Sequence, residues 1–300
     1  MRRFAGAGLA LLFSFAAFQQ PVAAAPPTSN CPLFPSTNVW NKRVDALPVA
    51  SNSATLISSI GRDLPLHPDF GSYLGYGIPY NVVGNTVPRR TVSFLYDDES
   101  DHVGYPIPSH PQIEDGSDHH LLMWDTANCR LFELFNARWT PDGWRAGSGA
   151  TWDLTSNALR PNGWTSADAA GLPILPGLVR YEEIQAGAIN HAIRFTAPMT
   201  RSAHIFPARH DAGAGSSSSL PPMGTRVRLK RSFDVSGYPR TDRIILMAMK
   251  RYGMILADNG SAWFFSGTSD ARWDDDELNL LKDLDGRLFE VVDTSDLRNG

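Results

Sequence analysis

The side chains best equipped for chemistry fall into three places in this sequence. Glu114-Asp115-Gly116-Ser117-Asp118-His119-His120 gathers carboxylates and imidazoles at the mouth of an apolar run, and function concentrates on loops held by a rigid scaffold. Glu133 interrupts LFELF and shares a strand face with Leu131 and Phe135. Burial there would push the carboxyl toward its neutral form, as a general acid requires. The alternative is a glutamate paired with Arg138 or Arg194. The third place is GAINHAIRFTAPMTRSAHIFPAR, residues 187–209. Its alternation aligns His191 with Ile189, Ile193 and Phe195, and turns Arg194 to the opposite face.

Glycosidic hydrolysis needs a protonated carboxyl on one side of the bond and a second carboxylate on the other. The assignment that follows takes Glu133 as the acid and Asp118 or Asp153 as base or nucleophile. Arg194, His191, His120 and His210 would then orient substrate or tune the carboxyls. Trp144, Trp152, Trp164, Trp263 and Tyr181 offer flat apolar faces of the kind that stack on sugar rings, with core packing as the plain reading of each. A polysaccharide lyase is the second possibility, with His191 or Tyr181 as base and Arg194 neutralising a uronate carboxylate. A lectin using the tryptophans alone is the third. His191, His204 and His210 have no H-E-x-x-H spacing, so neither a metal nor another cofactor is expected.

Other chemistries lack their motifs. The sequence has no Gly-x-Ser-x-Gly elbow, no P-loop and no dinucleotide fingerprint, which disfavours serine nucleophiles and nucleotide chemistry. A net charge of −4 with scattered basic residues excludes nucleic acid as the expected partner. The expected partner is an extracellular polysaccharide, and the expected state a monomer. Hydrophobic residues make up 42% and charged residues 19%, enough apolar content for a sizeable core.

The first 24 residues read as a signal peptide. Arg2-Arg3 precede an apolar stretch, Ala5 to Phe18, and Val22-Ala23-Ala24 offers small residues for cleavage. That stretch is too short for a comfortable membrane span. The remaining residues, 25–300, read as a single β-rich domain, secreted or periplasmic. Cys31 and Cys129, the only cysteines, then read as a disulfide in an oxidising compartment.

The positioning elements follow from periodicity. Ser53–Ile60 has helical spacing, Thr91–Tyr96 is a strand, and His120–Asp125 with Arg130–Arg138 forms a hairpin-like pair. Thr165–Ala170 and Tyr181–Gln185 are single helical turns. Ile189–Thr196 and Ala203–Phe206 are neighbouring strands, and Thr225–Phe233 an exposed one. Thr241 caps a helix over Asp242–Tyr252. Met254–Ala257 and Ala262–Phe265 make a hairpin around the Asp258-Asn259-Gly260 turn, with Asp258 a further candidate carboxylate that is most simply a turn former. Asp274–Leu284 is a helix with acidic residues in its first turn, and Leu288–Val292 a last strand. Strands outnumber helices, which predicts a mainly β fold: an antiparallel, jelly-roll-like β-sandwich with a few short appended helices.

From Gly147 to Asp293 the phrases GWTSADAAGLPILPGLVRYEE, INHAIRFT, PARH, KRYGMILADNGS and RWDDDEL resemble a group of uncharacterised secreted bacterial proteins. The resemblance spans about half the chain. It implies an extracellular bacterial setting and brings no activity with it.

Overall fold

The computed structural model describes residues 31–299; the signal-peptide reading lies outside them. The fold is mainly β, with several sheets and few short helices. Its central sheet has six strands in the order His67–Asp69, Phe264–Ser266, Ile193–Ala197, Met254–Asn259, Arg226–Leu229, Phe289–Val291. A second sheet of four strands runs Ser148–Asp153, Arg130–Phe135, Leu121–Asp125, Tyr80–Val83. Pairing is mixed: Ile193–Ala197 lies parallel to Met254–Asn259, and Tyr80–Val83 parallel to Leu121–Asp125.

The hairpin expected around Asn128 forms, with Leu122 opposite Glu133 and Asp125 opposite Arg130. Alternation then gives each face of the second sheet its own core. Leu122, Leu131, Ala150 and Trp152 join the main core, while Leu121, Met123, Phe132 and Leu134 pack into a smaller one with Val92, Tyr105 and Ala146. Burial on both faces explains why LLMW and LFELF read as continuous apolar runs. The Cys31–Cys129 disulfide ties the start of the described chain to this hairpin.

Residues 160–179 shape the interior most. This segment is largely irregular, yet Ser166, Ala167, Asp168, Ala170, Leu172, Ile174, Leu175, Leu178 and Val179 are buried. Buried backbone outside helices and sheets must find other hydrogen-bond partners. Here side chains of the second sheet supply several of them. Glu133 accepts from the Ile174 and Leu175 amides, His120 donates to the Ala167 carbonyl, and Ser148 donates to that of Ser166.

Several local expectations are corrected. Residues 189–192 are not strand: the helix Tyr181–Ala186 ends at Gly187, whose φ of 90° turns the chain, and the strand begins at Ile193. Arg201–His204 pairs with Pro222–Met223 instead of with the central strand. Residues 165–170 make bends and a turn, not a helical turn. Met254–Asn259 and Phe264–Ser266 do not pair with each other, because Ile193–Ala197 lies between them. Arg226–Leu229 is buried, not exposed. Its arginines reach carbonyls instead of solvent: Arg226 those of Val39, Lys42 and Tyr252, and Arg228 those of Val44 and Leu47. The following helix runs Arg240–Arg251 with Pro239, not Thr241, at its N-cap.

Candidate functional site

The candidate catalytic site is a cavity of about 520 Å³, within the range of ligand sites. It lies where Met254–Asn259 ends. Asp258 and Asn259 come from that strand, Asp118 from the loop entering the second sheet, and Glu99 from the short turn after Val92–Phe94. Ser166, Ala167 and Ala169 of the buried segment form part of its wall. His210 and Asp211 complete the polar lining, with Tyr96 and Phe135 as its aromatic members.

The four carboxyl groups differ in how they are held. Asp258 accepts from the Asn259 amide at 2.6 Å, and its other oxygen lies 3.9 Å from the Arg194 guanidinium. Burial, followed by the negative charge of Asp168, pushes its carboxyl up to about 7 despite Arg194. Glu99 accepts from the Thr165 amide at 2.8 Å, and Asp211 is hydrogen-bonded to His204. Asp118 is exposed and has only a 3.4 Å contact from the neighbouring Ser117 hydroxyl. The His210 Nδ1 faces the Ala169 carbonyl at 2.8 Å, so Nδ1 carries a proton. Its Nε2 lies 3.9 Å from Glu99.

Beneath the cavity runs a seam of paired charges. Arg194 binds Asp168 through Nε at 3.0 Å and Nη2 at 2.8 Å, and donates to the Ser266 hydroxyl at 2.6 Å. Burial opposes the arginine's charge, but Asp168 outweighs it and holds the pKa above the ordinary value. The His120 ring has acceptors at both nitrogens, Glu114 at 2.6 Å and the Ala167 carbonyl at 3.0 Å, so it carries both protons. Burial works against that charge; Glu114 prevails and raises the pKa.

Of the residues singled out from sequence, Asp118 and His210 line the cavity, joined by Asp258, a further candidate carboxylate read most simply as a turn former. The others lie outside its lining. Glu133 is wholly buried, its oxygens committed to two amides; burial first, with Asp168 nearby, pushes it up to about 7. It has no arginine partner. Asp153 is exposed and caps Thr155. His191 is buried beside Glu183 and the Ala192 carbonyl. Arg194 and His120 belong to the seam. Trp152 is buried, and the Arg160 guanidinium covers both Trp152 and Trp164. Tyr181 packs edge-on against Trp273 under Arg272. The available signal for Asp258 was a carboxylate closing the apolar run MILA.

Among the described residues, no group of three or more His, Cys, Asp or Glu side chains is placed to hold a metal ion, and no helix is long and apolar enough to cross a membrane. No protein-family model, curated protein or solved structure matches the chain, so the functional reading rests on the site itself.

Proposed function

We propose that this chain is a secreted glycoside hydrolase acting on an extracellular polysaccharide, with Asp258 as the acid and Asp118 as the second carboxylate. One observation carries the reading: a carboxyl held near neutrality and an uncommitted carboxylate line the same cavity. Glycosidic cleavage needs those two states together. Asp258 donates its proton to the departing sugar oxygen, and Asp118 serves as base or nucleophile. Arg194 and Asp168 hold the acid from behind. His210 and Glu99 offer hydrogen bonds to hydroxyl groups, and Tyr96 and Phe135 offer apolar faces to a sugar ring. The leader-like N-terminus and the Cys31–Cys129 bridge support an extracellular setting.

The same lining weighs against the other readings. It includes no arginine or lysine, so a uronate carboxylate has no cation to neutralise it, and Arg194 is already bound to Asp168. The lining carries no tryptophan either, which removes the sugar-stacking residues of the lectin reading. A cleft of this charge suits a neutral or cationic glycan.

The test is a panel of neutral and amino-sugar polysaccharides incubated with the mature chain, with reducing ends and near-ultraviolet absorbance measured together. New reducing ends without absorbance, lost in Asp258→Asn and in Asp118→Asn, are expected. Absorbance from an unsaturated product would replace this reading with the lyase. Binding without cleavage across the panel would leave a lectin.

A further inference from the structure

A groove runs along the helix Arg240–Arg251 at the other end of the central strands. Its residues 240, 243, 244, 247 and 251 follow the spacing that brings side chains to one helix face. These five positions are Arg240, Arg243, Ile244, Met247 and Arg251, and all line a groove of about 390 Å³. Residues 187–189 and Val235 form the rest of its wall, together with Ala248. At about 1.5 Å per residue the arginines span roughly 16 Å of helix.

These guanidiniums are unneutralised. Arg240, Arg243 and Arg251 are exposed and have no carboxylate partner among the described residues. The helix's only carboxylate, Asp242, is buried. A neighbouring groove shares Met247 and Arg251, and adds Arg228, Arg231 and Lys250. Its one carboxylate, Asp45, is paired with Arg43, and Arg228 with Glu290. In a chain of net charge −4, this concentration of positive charge on one face is a feature of the fold.

We propose that this groove binds an acidic polysaccharide and anchors the protein to it. The guanidinium fork fits carboxylate oxygens in two-point fashion. Ile189, Val235, Ile244 and Met247 supply an apolar floor for the C–H faces of sugar rings. The site is concave, which suits a single polymer chain better than a membrane surface. No aromatic side chain lines it, so nucleobases lack their usual stacking partner. It is separate from the acidic cavity. Arg251 and residues 187–189 precede the parallel strands Met254–Asn259 and Ile193–Ala197, whereas Asp258 and Asn259 end the first of them. Five residue steps of strand put about 17 Å between the two ends. The anchoring polymer and the cleaved glycan are therefore different in charge: the groove takes the anion, and the cavity the neutral or cationic chain.

Affinity electrophoresis through polygalacturonate, with neutral dextran as reference, tests the proposal on the mature chain. Retardation by polygalacturonate alone is expected, falling as salt rises. Arg240→Ala with Arg243→Ala weakens it about tenfold or more; Arg240→Lys with Arg243→Lys preserves most of it. Asp258→Asn leaves retardation intact, so a failure of the catalytic assignment is distinguishable from a failure of the anchor. Unchanged retardation in the double alanine variant would overturn the proposal, as would equal retardation in dextran. Tighter binding to a single-stranded oligonucleotide or to anionic phospholipid vesicles would also overturn it. Arg240 and Arg243 are solvent-facing, and far-ultraviolet circular dichroism confirms that each variant is folded.

Discussion

Replacing Glu133 with glutamine separates a structural carboxyl from a catalytic one. Glu133 is wholly buried and accepts from the Ile174 and Leu175 amides. Burial moves its pKa from 4.5 to about 7, so the folded chain holds the proton more tightly than the unfolded chain does. The associated stability is fully present below pH 4.5, is lost as pH rises through the interval, and stays lost above about pH 7. At about 1.4 kcal/mol for each pH unit, the loss is about 3 kcal/mol. Glutamine mimics the neutral form and cannot ionise. The assay is urea unfolding of both proteins between pH 4.5 and pH 8, read as the stability difference between them. That difference should move by about 3 kcal/mol in favour of the variant as pH rises. Asp258 and Asp242, whose carboxyls are also raised, are present in both proteins and cancel. A difference that stays constant across the range would refute the argument. Cleavage of polysaccharide should be unaffected by the substitution.

Further outcomes follow from the seam and the crosslink. Asp168→Ala leaves the Arg194 guanidinium buried with Ser266 as its nearest partner, which costs about 3–5 kcal/mol. The melting temperature should fall by on the order of 10 °C; an unchanged melt would contradict the pairing. Asp168→Asn removes a negative charge that helps raise Asp258, so the alkaline limb of the activity profile should move to lower pH, and a fixed limb would exclude that coupling. The disulfide closes a separation of 98 residues. Replacing both cysteines with alanine should cost about 4–5 kcal/mol in the chain-entropy model, read as a lower urea midpoint, with an equal midpoint contradicting it.

What the sequence disclosed was local. The hairpin around Asn128 was legible because two apolar runs flank a short polar link. The helix Ser53–Gly61 was legible from its spacing. Ser148–Asp153 was missed as a strand because SGATWD is mostly small and polar, and it gains its place by pairing with all six residues of Arg130–Phe135. Arg226 and Arg228 looked like the outer face of an exposed strand, since nothing local announces the carbonyls that receive them. The most reactive-looking residues in the apolar runs have structural partners. Glu133 and His120 are polar in apolar runs because an irregular segment, 160–179, crosses the interior and needs side-chain partners. That requirement appears only when the segment and the sheet are seen together. Asp118 and His210 were recognised individually, whereas their meeting with Asp258 depends on long-range packing that periodicity does not encode.

The most direct measurement is release of reducing ends from a cleaved polysaccharide as a function of pH, for the wild type, Asp258→Asn and Glu133→Gln. The wild type and Glu133→Gln should cleave alike, losing activity as pH rises through about 7, where the Asp258 proton is lost. Asp258→Asn should be inactive at every pH while remaining folded. Full activity in Asp258→Asn, or loss of activity confined to Glu133→Gln, would contradict the assignment of the cavity as the catalytic site.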